Sequence, residues 1–67
     1  MEKDWVLVLS ADKMYKAELF KDKLDENDII SDILNKKGSA FLLGDVEVYV
    51  HKDNEVRALE IIKEFGF

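Results

Sequence analysis

The chain has 67 residues, 48% hydrophobic and 37% charged, a balance that fits one small folded domain and argues against disorder. The net charge is −5 and the ten basic residues are scattered, with Lys36-Lys37 the one adjacent basic pair, so neither nucleic acid nor an anionic membrane is an expected partner. No apolar run approaches the ~20 residues that cross a bilayer, and Trp5 to Leu9 is too short for a signal-peptide core, so a cytoplasmic protein is expected.

The run Trp5-Val6-Leu7-Val8-Leu9 is β-branched and aromatic and reads as a first strand. Ser10 or Asp12 can then cap a helix that runs to about Asn27. At helical spacing Met14, Ala17, Phe20 and Leu24 share one side, while Tyr15 and Leu19 form an i, i+4 pair turned away from it. Asn27-Asp28 is the expected stop, because both residue types tolerate the left-handed conformation of a C-terminal cap.

Ile29 to Leu34 reads as a second strand, and Asn35-Lys36-Lys37-Gly38-Ser39 has the composition of a turn. The stretch Ala40-Phe41-Leu42-Leu43-Gly44 is unusually apolar for a loop and is expected to rest on the core or on a partner. Val46-Glu47-Val48-Tyr49-Val50 alternates strictly, which makes it the clearest strand, with its valines on one face and Glu47 and Tyr49 on the other. Asp53 is the natural cap of a last helix from about Asn54 to Phe65. Its packed side is read as Val56, Ala58, Leu59 and Ile62, flanked by Ile61 and Phe65, with Gly66 as the stop and Phe67 as a trailing apolar contact.

Strand, helix, strand, strand, helix is the order of a split β-α-β unit: an α+β, ferredoxin-like domain without its last strand. Both helices then cover one face of a three-stranded antiparallel sheet and leave the other open. The first strand is apolar at every position, so either Val6 and Val8 or Trp5, Leu7 and Leu9 face outward, and Tyr49 joins them. An apolar open face and an unpaired edge usually signal pairing. With no cysteine to form a disulfide, self-association into a dimer is the favoured expectation. A partner protein or small ligand comes second, and coverage by Phe41-Leu42-Leu43 or Phe67 third.

Little of the chain points to catalysis or to a cofactor. The lone His51 has neither a cysteine nor a second histidine with which to bind zinc. It could serve as a general base with Asp53 only if a cleft formed around it. The serines lie outside any nucleophile-elbow pattern, and the glycines are too far apart for a phosphate loop. The carboxylates Asp22, Asp25, Glu26 and Asp28 lack calcium-loop spacing, so no metal is expected. Weak binding of single-stranded nucleic acid through Lys36 and Lys37, with stacking on Tyr49 or Phe41, is a remaining alternative. The expectation is a non-catalytic module that binds through Trp5, Tyr49, Lys36, Lys37, Phe41 and Leu42.

The first strand, Lys16-Ala17-Glu18-Leu19, the Leu24-to-Ile29 spacing, Gly44 leading into Val46 to Val50, and Asp53 with Ala58 together resemble a known family. It is a short bacterial domain described as a prokaryotic signal-transducing protein, and the resemblance covers nearly the whole chain. What it implies is a ferredoxin-like fold similar to the nitrogen-regulatory PII proteins, with no established ligand or catalytic residue. By that analogy Asn35 to Gly44 would be the partner-contacting loop, although it is much shorter here. Family members often carry glycine just before the position of Ile29, where this chain has Asp28.

Overall fold

The computed structural model describes residues 4–35 and 46–66. In chain order the elements are β1 (Trp5–Ala11), α1 (Met14–Glu26), β2 (Ser31–Asn35), β3 (Val46–His51), a short 3-10 turn (Lys52–Asn54) and α2 (Glu55–Phe65). The sheet order is β1-β3-β2, and both outer strands run antiparallel to β3. β1 and β2 are therefore parallel to each other with β3 inserted between them, which is the split β-α-β arrangement expected of this element order.

The alternation in β3 decides where the core lies. Val46, Val48 and Val50 are buried, and residues paired across an antiparallel ladder share a face. Ala17, Phe20 and Leu24 of α1 and Ala58 and Ile61 of α2 pack in the same cluster, so both helices cover that one face. Phe20, Leu24, Ile29, Val48 and Val50 are essentially inaccessible to solvent. Burial of such a side chain contributes roughly 1.5–3 kcal/mol relative to exposure.

β1 does not alternate, and a bulge explains why. Leu7 pairs with Tyr49 and Leu9 with Val48, so Val8 is an extra residue in the ladder. Trp5 and Leu7 share the outward face with His51 and Tyr49, while Val6, Val8 and Leu9 all pack against the core. Neither simple assignment of the strand's two faces is therefore right: Leu9 turns inward although Leu7 turns outward. The strand also runs further than its apolar stretch, because Ser10 and Ala11 pair with Glu47 and Val46.

The helix starts correct the sequence reading. Ser10 lies within β1, and neither it nor Asp12 caps α1; Lys13 is the N-cap residue and makes no side-chain cap bond. Asp12 instead reaches forward one turn to Lys16, Nζ to Oδ1 at 3.1 Å. Asp53 lies inside the 3-10 turn and Asn54 occupies the N-cap of α2. Ala58 and Ile61 are buried and Ile62 partly so, while Val56 is 69% exposed and Leu59 46%. Ala58 and Ile62 thus lie on the packed side as read from the sequence, Ile61 is buried rather than flanking, and Val56 and Leu59 are corrected to the wet side.

The end of α1 is a complete left-handed cap. Asp28 has φ 61°, its N–H donates to the Asp25 carbonyl at 3.1 Å, and the Ile29 N–H donates to the Leu24 carbonyl at 2.9 Å. Buried Leu24 and Ile29 supply the apolar contact that accompanies this motif. Asn27 adds a bond from Nδ2 to the Lys23 carbonyl at 2.8 Å. The cap absorbs Ile29 and Ile30, so β2 begins only at Ser31. Gly66 closes α2 with φ 72°, as expected. Lys36, Lys37, Phe41, Leu42 and Phe67 lie outside the described residues.

Candidate interaction face

The face opposite the helices is built by the alternate positions of three strands. From the register it carries Trp5, Leu7 and Ser10 of β1, Glu47, Tyr49 and His51 of β3, and Asp32 and Leu34 of β2. Tyr49 is at the centre, with Leu7 opposite it on one side and Asp32 on the other. Leu7 is 46% exposed and Leu34 39%, while Trp5, Glu47, Tyr49 and His51 are half-buried. Ile30, just ahead of β2, is 73% exposed.

Two contacts within the face hold its aromatic groups in place. The Tyr49 hydroxyl donates to Glu47 Oε1 at 2.8 Å, two residues back on the same strand and the same side. A bond to a carboxylate is the stronger, charge-assisted kind and keeps the ring from sweeping freely. Trp5 stands edge-on to its cross-strand partner His51, with ring centroids 6.3 Å apart and planes at 77°. The preferred T-shaped geometry places this pair at one end of the face. Of the expected binding residues, Trp5 and Tyr49 do share one surface, two register positions apart along the β1–β3 ladder. Leu7 joins them there, as one of the two outward alternatives for the first strand had it; Asp32 and Leu34 join too, and the β2 pairing that places them carries no plain sequence signal.

His51 is committed to the turn that follows it. Its Nδ1 accepts the Asp53 backbone N–H at 3.2 Å, and Asp53 Oδ2 lies 3.4 Å from the same nitrogen. This geometry caps the 3-10 turn. The imidazole and the carboxylate are indeed neighbours, as a general-base reading needs, but the ring nitrogen nearest Asp53 already serves the backbone.

A groove of about 600 Å³ lies elsewhere, at the far end of β1 from His51. It is lined by Leu9, Ser10 and Ala11 of β1, Asp12 and Lys16, and Phe65 and Gly66 at the end of α2. The Lys16 ammonium beside Asp12 holds its carboxyl below the usual carboxylate range, and Asp12 in turn raises the Lys16 pKa. Further cation contacts lie on the helices. Lys21 is 3.8 Å from Asp25, Lys23 is 3.9 Å from Glu26, and the Lys23 ammonium sits 4.7 Å from the Phe65 ring centroid. Such exposed pairs add little stability individually.

Among the described residues no three His, Asp or Glu side chains come together as a metal site. Among the same residues no helix is long and apolar enough to cross a membrane. No family model, curated protein or solved structure matches the chain.

Proposed function

We propose that this is a small non-catalytic interaction module of a regulatory kind, whose sheet face opposite the helices receives a protein partner. The observation that carries this reading is the exposure of Leu7 and Leu34 on either side of a tethered Tyr49, on the face opposite both helices. Apolar residues exposed on a sheet face lose water most favourably when another surface covers them. The hydroxyl bond of Tyr49 lowers the entropy lost on binding, because its ring is already held. The resemblance to signal-transducing domains agrees with such a role, and the segment from Asn35 to Gly44 would add the second contact region.

Site-specific photo-crosslinking from inside the source cell tests the proposal. A benzophenone side chain at position 7 should give one discrete adduct, whereas the same group at Asp22, on the outer side of α1, should give none. Adducts of equal yield from both positions, or from neither, would remove the sheet face as the interface. An adduct of twice the protomer mass would identify the partner as a second copy.

A small ligand is the second reading, favoured by the groove between Leu9 and Phe65, whose volume lies in the ~300–1,000 Å³ range of small-molecule sites. Fragment screening by protein-observed NMR, read at the amides of Ser10, Ala11 and Gly66, decides it. Saturable shifts confined to those amides support the groove, and their absence removes it.

A further inference from the structure

Among the described residues the cations of this molecule lie off the sheet face that is opposite the helices, whereas carboxylates occur on both layers. Among the described residues, Lys13, Lys16, Lys21 and Lys23 lie on α1 or just before it, Lys52 lies in the turn after β3, and Arg57 and Lys63 lie on α2. None of these cations occupies an outward position of the sheet. The ionised groups at those positions are the carboxylates Asp32 and Glu47, on neighbouring strands beside Tyr49 and Leu34. Asp32 is exposed and has no ion-pair partner among the described residues. Among the described residues the face opposite the helices is thus apolar and acidic, on a chain whose net charge is −5.

We infer that the partner of this face is a basic amphipathic polypeptide segment, with Lys or Arg set beside aliphatic side chains. This inference rests on the proposed role of the sheet face and adds the chemistry of what covers it. Complementary charge steers encounter and rejects wrong partners, and here the field of the whole chain acts in the same direction as the local carboxylates. The aliphatic side chains of the segment cover Leu7 and Leu34 while its cations meet Asp32. An arginine has a further contact in the face of the tethered Tyr49 ring. The occupant is not a second copy, because a symmetric face-to-face pair sets these carboxylates against a surface that carries the same ones. Nucleic acid and anionic lipid are disfavoured by the same charge.

The test uses the full chain and three short Trp-free peptides: alternating Arg and Leu, alternating Glu and Leu, and alternating Arg and Ser. Trp5 emission and amide shifts report binding. The Arg/Leu peptide should bind saturably, shift Leu7, Asp32 and Tyr49, and weaken as salt is raised; the other two should bind at least about tenfold more weakly. Asp32→Lys should weaken the Arg/Leu peptide by about tenfold and Asp32→Asn by less, whereas Asp22→Lys, an equal change of charge on α1, should leave affinity within about twofold. Equal effects of Asp32→Lys and Asp22→Lys would show attraction to net charge alone and overturn the inference. Equal binding of the Arg/Ser peptide, or shifts confined to the helices, would overturn it too. A position-7 crosslink to a second copy or to an acidic partner would sink the basic-partner inference and leave the sheet face standing as an interface.

Discussion

Leu7 and Leu9 are two residues apart, yet they pair with the adjacent residues Tyr49 and Val48 and so face opposite sides of the sheet. The extra residue between them, Val8, turns one apolar run into two differently used halves. Trp5 and Leu7 furnish the open face, and Val6, Val8, Leu9 and Ala11 furnish the core. Bulges also twist an edge strand and discourage a neighbouring sheet from pairing with it.

Deletion of Val8 is therefore a milder change than deletion of any other residue of β1. The register on both sides of it is already continuous with Tyr49 and Val48, so every existing pair survives. The variant should fold, lose about 1–2 kcal/mol through the missing core contact, and self-associate more readily along the flattened edge. Denaturant unfolding and light scattering check the two effects. Loss of the folded state would show that the bulge twist is required to seat the helices.

Asp28 holds a left-handed conformation that costs an L-residue free energy and costs glycine little. It also places a negative charge beside the carbonyl end of α1, where the helix dipole opposes it. Asp28→Gly should raise stability by about 0.5–1 kcal/mol, and Asp28→Val should lower it by more than that. Asp28→Asn separates the causes, because it removes the charge and keeps the backbone preference. A destabilised Asp28→Gly protein would mean that the aspartate side chain contributes a contact stronger than its backbone strain.

The sequence made most of this architecture legible, for reasons visible in particular residues. The valine alternation of β3, the Ala17-Phe20-Leu24 stripe, the stop at Asn27-Asp28 and the Gly66 cap each follow from local periodicity or from one residue's φ preference. Three features were not legible. The Val8 bulge depends on pairing with a distant strand, and five consecutive apolar residues carry no mark of it. The packed side of α2 depends on how the helix seats on the sheet, so Val56 and Leu59, apolar and helical in spacing, end on the wet side. The acidic character of the open face follows from Asp32 and Glu47 on neighbouring strands, fifteen positions apart, which only the sheet register brings to the same side.

Ser31 faces the core from β2, only 8% exposed, and its hydroxyl has no hydrogen-bond partner among the described residues. A buried hydroxyl without a partner carries its desolvation cost uncompensated. Ser31→Ala should therefore stabilise the fold by about 1 kcal/mol, a gain worth several degrees in Tm for a domain of this size. Calorimetry on the two proteins at neutral pH measures it. A loss of stability instead would reveal that the hydroxyl is bonded in solution.

The Asp12–Lys16 pair that lines the groove should be visible in pH titration. The hydrogen bond from Lys16 and its charge lower the Asp12 pKa below its ordinary value of 3.8. A carboxyl lowered on folding stabilises the protein above the unfolded-state pKa, and that contribution is lost as pH falls through the folded one. Lys16 behaves in the opposite sense: its pKa is raised above 10.5, so its share is present below that value and lost as pH rises through the folded pKa. The pair is open to solvent, so the contribution is small, and high salt should reduce it further. NMR titration of the Asp12 carboxyl should therefore give a value below 3.8 in the parent protein and an ordinary one in Lys16→Gln. Stability at neutral pH should be nearly equal in the two. An unchanged Asp12 value after Lys16→Gln would show that backbone hydrogen bonding, rather than the ammonium, sets it.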